Sequence, residues 1–169
     1  MVVSVSCVVA ISDRREFEMT LTHSELCSLA VKWIRSKKES NCYQDTQRCN
    51  VIARELRSCN VEIPDVIGFG PSGHTILIEC KSSILDYKRN FDKVTMLLGG
   101  MGDYRYFFTE SGLLTDVKEF PPAYGLIETD GRHFDVVKRP TFLASNKMAE
   151  QRLLLSMIRN PNRKGIWLK

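Results

Sequence analysis

Pro64-Asp65-Val66-Ile67-Gly68-Phe69, then Gly70-Pro71-Ser72-Gly73, then His74-Thr75-Ile76-Leu77-Ile78-Glu79-Cys80-Lys81, is the stretch on which the fold turns. Pro64 disfavours a helix and pushes its neighbour toward extended backbone, so a strand over Asp65–Phe69 is expected. The Gly-Pro-Ser-Gly tetrad is turn chemistry, and His74–Lys81 is the returning strand of a hairpin. The unbroken Ile76-Leu77-Ile78 run predicts a central strand covered on both faces. Side chains alternate along a strand, so Leu77, Glu79 and Lys81 share one side while Ile76 and Ile78 take the other.

Upstream, Thr22-His23-Ser24-Glu25 reads as a capping box opening a helix. Leu26, Leu29, Ala30, Trp33 and Ile34 follow at helical spacing and give it one buried stripe. The helix should end in the polar tract Lys37–Arg48. Val51–Leu56 reads as a strand, although Ala53, Arg54, Glu55 and Leu56 also favour helix. Downstream, Ser83 caps a second helix with Asp86 in its first turn and Ile84, Tyr87, Phe91, Val94 and Leu98 as its apolar face. Gly99–Gly102 stops it, and Tyr104–Phe108 is the next strand. Pro121-Pro122 marks a loop before a strand over Tyr124–Thr129. Asp130-Gly131 signals a two-residue hairpin returning as Phe134–Lys138. Asn146 or Ser145 caps a last helix with Met148, Leu154, Met157 and Ile158 inward. The expected architecture is α/β, a central mixed sheet flanked by helices. A single domain spans 19–169, and residues 1–18 are an extension or an added strand, with Met19 as a second candidate start.

Bulk properties narrow the function. The 169 residues are 43% hydrophobic and 26% charged with a formal net charge of +4, ordinary for a globular protein and mildly favourable to a polyanionic partner. The six cysteines show no CxxC and no Cys/His pairing at zinc spacing, which predicts reduced structural thiols and a cytoplasmic setting. The apolar run Val2–Ile11 is too short to cross a bilayer and lacks the flanks of a signal peptide. No Gly-rich loop carries a Lys-Ser/Thr, so no nucleotide cofactor of the P-loop kind is expected. His23, His74 and His133 are scattered and suggest no metal or catalytic cluster.

The chemistry concentrates at Asp65, Glu79 and Lys81. Two carboxylates reaching one point are hard oxygen ligands suited to Mg²⁺ or Mn²⁺. Lys81 beside them can orient a metal-activated water or stabilise charge on a phosphate. A Glu-x-Lys pair on an exposed strand would be worth at most about 1 kcal/mol and mean little. On a buried strand the same pair is costly unless something compensates it. Basic residues at Lys88, Arg89 and Lys93 are candidates for phosphate contacts flanking this face.

The segments Glu62–Gly68, Thr75–Ser83 and Asp86-Tyr87 resemble the PD-(D/E)XK nuclease superfamily, and more narrowly its MmcB-like, DNA-repair-associated group of bacterial and phage proteins. Gly102–Phe107, Gly112-Leu113-Leu114 and Tyr124–Ile127 are similar to that group's downstream segments. The resemblance implies a restriction-endonuclease-like core and a Mg²⁺-dependent nuclease acting on DNA, with RNA as a lesser substrate option. It implies Asp65, Glu79 and the backbone carbonyl of Cys80 as metal ligands, and a further acid from the preceding element, Glu55 first and Glu62 second. Ser83 would approach DNA or a metal-bound water, or only cap its helix, and Asp86 would support the site or serve the helix dipole. One centre cuts one strand, so double-strand cleavage would need a homodimer or two sequential events. Related proteins often carry Arg and a second Asp where this chain has Ile84 and Asn90. That departure motivates the alternative, a DNA-binding module with an idle site.

Overall fold

The computed structural model describes residues 21–36, 49–57, 62–89, 99–114 and 120–168. The expected N-terminal strand, the polar tract after the first helix, and Asn90, Phe91, Lys93, Val94 and Leu98 lie outside these residues.

Helix α1 runs His23–Arg35. Its capping box forms as the sequence predicts: the Thr22 hydroxyl accepts from the Glu25 amide at 3.3 Å, and the Glu25 carboxylate accepts from the Thr22 amide at 2.8 Å. Strands β1 (Val51–Arg54), β2 (Val66–Phe69) and β3 (Thr75–Lys81) follow, then helix α2 (Ile84–Arg89) and strand β4 (Tyr104–Glu110). Strands β5 (Gly125–Thr129) and β6 (Phe134–Lys138), helix α3 (Lys147–Arg159) and strand β7 (Ile166–Leu168) complete the described chain. The ambiguous Val51–Leu56 segment is therefore a strand over Val51–Arg54, two residues shorter than expected. It ends where Glu55 adopts a left-handed backbone with φ 47°.

All seven strands join one mixed sheet in the order β6-β5-β4-β3-β2-β1-β7. β2 and β3 form the expected antiparallel hairpin, while β3, β4 and β5 run parallel, so their C-terminal ends share one edge. Open α/β sheets bind ligands beyond that edge. Every residue of β3 is buried, as its apolar run predicts.

The two faces of the sheet carry separate cores. Leu26, Ala30 and Ile34 of α1 pack on Ile76, Ile78, Tyr106 and Phe108, and burying side chains of this size contributes about 1.5–3 kcal/mol each. A Cβ on Gly68 would collide with Ile34, so glycine there lets α1 lie close on β2. On the opposite face Leu153 and Met157 of α3 pack on Ile67, Leu77 and Met101. Beside them Tyr87 of α2 packs with Phe107, Tyr124 and Leu126.

Three expectations need correction, and one strand is new. The Asp130-Gly131 hairpin is not a two-residue turn: Thr129 pairs with Phe134, leaving four loop residues. Asp130 dictates this, because its Oδ1 accepts the amides of Arg132 and His133 at 2.8 and 2.6 Å. In α3 the inward residues are Glu150, Leu153 and Met157, whereas Met148 and Ile158 face solvent. Ile84 of α2 is exposed and Tyr87 carries the packing. Strand β7, unforeseen, pairs antiparallel with β1 through Ala53 and Ile166.

Buried Glu150 explains the rotated α3 face. Its Oε1 accepts from the Thr75 hydroxyl at 2.7 Å and the Gly102 amide at 2.9 Å. Asp103, also buried, accepts from the Thr75 amide, the Ser145 hydroxyl and Lys147 Nζ at 2.9, 2.8 and 2.6 Å. This network ties the starts of β3 and β4 to the first turn of α3. Burial alone would raise the Asp103 pKa, but Lys147, Ser145 and the Thr75 amide bring it below its ordinary value.

Candidate metal centre

The β2–β3 ladder runs out at Val66 opposite Ile78. Continued by register, Asp65 falls opposite Glu79 and Pro64 opposite Cys80. Proline has no N–H to donate, so it cannot continue the ladder to the Cys80 carbonyl. The Cys80 amide instead donates to Asp65 Oδ2 at 2.8 Å. In an antiparallel ladder the N–H and C=O of one residue face the same neighbour, so the Cys80 carbonyl points to the side from which Asp65 approaches. The Pro-Asp pair thus replaces a backbone rung with a carboxylate.

Glu79 and Lys81 stand on the α2/α3 face, one register row apart. They are 8% and 3% exposed, and Lys81 Nζ lies 3.4 Å from Glu79 Oε2. The next parallel strand brings Phe107 beside Glu79 and Thr109 beside Lys81. The Thr109 hydroxyl is fully buried and has no hydrogen-bond partner among the described residues, an arrangement that costs about 1–3 kcal/mol if nothing fills it. Glu62 reaches this side too, accepting the Met101 amide at 2.7 Å across the close approach left by Gly100. Burial raises the Tyr124 phenol; Arg105, hydrogen-bonded to it at 3.3 Å, opposes the rise, and the charges of Glu79 and Glu62 add to it.

Asp65 also meets the helix on the other face. His23, the first residue of α1, brings its Nε2 to 3.5 Å from Asp65 Oδ1, 3.8 Å from Glu55 Oε1 and 3.4 Å from Cys27 Sγ. Arg54 fixes this corner. It donates to Glu55 Oε2 at 3.1 Å and, through its two terminal nitrogens, to the Ser28 and Ser24 hydroxyls at 2.8 Å each. The Cys80 thiol projects here as well, and burial first, then Cys27, Asp65 and Glu79, hold its pKa well above the ordinary thiol value. Cys80 therefore lies within the electrostatic reach of both carboxylates of the sequence motif.

The remaining predicted residues are placed as follows. Ser83 accepts the Asp86 amide at 3.1 Å and so caps α2. Lys88 and Arg89 are exposed on α2, while Lys93 lies outside the described residues. Glu55 comes to the Asp65 corner and Glu62 to the Glu79 side, so the two candidate acids are divided between the faces of β3. Sequence reasoning misses His23, one of three histidines scattered along the chain. Its i,i+4 spacing to Cys27 on a capped helix was the available signal.

No protein-family profile and no curated protein matches this chain. Among solved structures it is similar to a protein of unknown function from Silicibacter pomeroyi, with 21% identity, a TM-score of 0.49, and coverage of 69% of this chain and 84% of the other. A likeness at that level says nothing about chemistry.

Proposed function

We propose that this chain is a metal-dependent nuclease with a restriction-endonuclease-like core, hydrolysing DNA phosphodiester bonds at a centre made by Asp65, Glu79 and Lys81. The observation that carries this reading is the buried Glu79–Lys81 pair on the central strand, with the Asp65 carboxylate hooked onto the amide between them. A buried ion pair is poor value for stability, because desolvation offsets the attraction. Its place at the ligand-binding edge of a parallel sheet gives it a chemical use instead.

The donor set fits a hard divalent cation. Asp65, Glu79 and the Cys80 carbonyl, which Pro64 cannot occupy, are oxygen ligands that would hold Mg²⁺ or Mn²⁺. Such an ion, when bound, acidifies water and neutralises phosphate charge. Lys81, held by Glu79, offers a compact positive charge to a phosphate oxygen or to the attacking water. The orphaned Thr109 hydroxyl beside it supplies a donor for the same oxygen or water. Lys88 and Arg89 give exposed positive charge to the DNA backbone. The similarity of the Asp65, Glu79 and Lys81 segments to PD-(D/E)XK nucleases supports the same reading. Cys27 and Cys80 are buried thiols outside any disulfide, which suits the cytoplasmic setting included in it. Among the described residues no helix is long and apolar enough to cross a membrane.

One observation favours a second reading, an idle DNA-binding module: Asp65 Oδ1 faces His23 of α1, whereas Glu79 stands on the opposite face of β3. Incubating supercoiled plasmid with Mg²⁺ or Mn²⁺ separates the two. Cleavage by the wild type that is lost in Glu79→Ala and Lys81→Ala supports the enzyme. DNA binding without cleavage, unchanged by either substitution, supports the module.

A further inference from the structure

The corner between α1 and the end of β1 holds more ligand chemistry than the proposed nuclease centre uses. His23 Nε2 is approached by three electron-rich atoms: Cys27 Sγ at 3.4 Å, Asp65 Oδ1 at 3.5 Å and Glu55 Oε1 at 3.8 Å. One imidazole nitrogen carries at most one proton, so hydrogen bonding alone cannot serve all three. A cation among them can. We propose that His23, Cys27 and Glu55, whose ligand atoms all lie within 4.8 Å of one another, form a binding site for a thiophilic divalent ion of the Zn²⁺ type, with Asp65 at its edge.

Three further observations support the site. The distances suit the ion: zinc bonds of about 2.0–2.3 Å at tetrahedral angles separate neighbouring donors by about 3.3–3.6 Å, and His23 Nε2 stands 3.4 Å from Cys27 Sγ and 3.8 Å from Glu55 Oε1. The Glu55 carboxylate is already oriented, since Arg54 holds Oε2 and Oε1 faces His23. Glu55 also holds a left-handed backbone that L residues avoid, and this strain projects its side chain at the corner. The thiol selects the metal. Mg²⁺ and Ca²⁺ prefer all-oxygen sites, whereas sulfur with imidazole favours Zn²⁺, or Co²⁺ as its spectroscopic substitute. His23 and Glu55 are 40% and 48% exposed, so the site has an entrance. The proposal does not depend on nuclease activity and uses none of Asp65, Glu79 and Lys81 as a required ligand.

Titrating metal-free full-length protein with Co²⁺ tests it. The expected result is a thiolate-to-Co²⁺ charge-transfer band with the intense visible bands of tetrahedral cobalt, both abolished by Zn²⁺. Cys27→Ser should lose the charge-transfer band, and His23→Gln and Glu55→Gln should each weaken Zn²⁺ affinity by at least about tenfold. Far-ultraviolet dichroism establishes that Cys27→Ser is folded; if it is not, the two partly exposed variants decide. Glu79→Gln keeps the cobalt spectrum, which separates failure of this site from failure of the nuclease reading. A wild type without the thiolate band, a folded Cys27→Ser that keeps it, or His23→Gln and Glu55→Gln with wild-type affinity overturns the proposal.

Discussion

The Asp65 carboxylate and the Cys80 amide are joined at 2.8 Å where the β2–β3 ladder stops, so one side chain both ends a sheet and carries a candidate ligand. These two roles separate by substitution. Asp65→Ala leaves a buried amide without its acceptor and should cost about 1–3 kcal/mol. Asp65→Asn keeps an acceptor oxygen and should hold stability within about 1 kcal/mol, and it should lose the rise in melting temperature expected of the wild type with Mn²⁺. Thermal melts of the three proteins with and without Mn²⁺ read both effects. Equal losses in Asn and Ala variants would mean that the carboxylate charge, not the hydrogen bond, is what the fold needs.

The Glu79–Lys81 pair makes its own prediction. Removing one partner strands a charge in a buried strand, so Glu79→Gln or Lys81→Met should each destabilise by about 3 kcal/mol in urea unfolding. The double variant should lose clearly less than the sum of the singles. All three should be inactive in plasmid cleavage. Additive losses would show that the two groups do not sense each other.

Stability should fall at both ends of the pH scale through Asp103 and Lys147. The folded pKa of Asp103 is depressed, so its contribution is complete above the ordinary value of 3.8 and fades as pH drops through the lower folded value. For Lys147, burial opposes but Asp103 and Glu150 outweigh it, raising the pKa above 10.5. Its contribution is complete below 10.5 and is lost as pH rises through the higher folded value. Asp103→Asn should therefore flatten the acid limb of a melting-temperature profile, and Lys147→Met the alkaline limb. An acid limb unchanged in Asp103→Asn would remove the network from the account.

Glu55 offers a test of strain. Its φ of 47° suits Asn or Gly better than Glu, so Glu55→Asn should hold or raise apo stability, whereas Glu55→Val should cost more than about 1 kcal/mol. Urea midpoints of the two variants decide the sign.

DNA affinity should fall with salt with a slope of about 0.9 per phosphate contact. Lys88→Gln with Arg89→Gln should flatten that slope by up to about two units in a fluorescence-anisotropy titration. An unaltered slope would place the nucleic acid elsewhere.

Much of the architecture was legible because local signals agreed with tertiary demand. The Thr22–Glu25 box, the apolar Ile76–Ile78 run and the Gly70–Gly73 turn each had one plausible outcome, and each formed. What escaped was set by distant partners. α3 turned because Glu150 found Thr75 and Gly102, contacts that no periodicity announces. Strand β7 is three residues long, too short to show a pattern, and exists because β1 has an edge to cover. At the candidate centre, Asp65, Glu79 and Lys81 stood out by type and spacing. His23 did not, since its relation to Asp65 arises only when α1 docks on the sheet.

The pairing of Val51 with Leu168 sets a timetable for the newborn chain. β1 leaves the ribosome well before β7, and its hairpin neighbours can join it at once, but its outer edge waits until the residues between them and β7 itself are made. At a synthesis rate of about 5–20 residues per second the delay is on the order of ten seconds. For that interval Ile52 and Ala53 belong to a bare strand, the surface on which unfinished chains stick to one another. Crowded polysomes and slow translation between β1 and β7 are therefore where this protein is most exposed to aggregation.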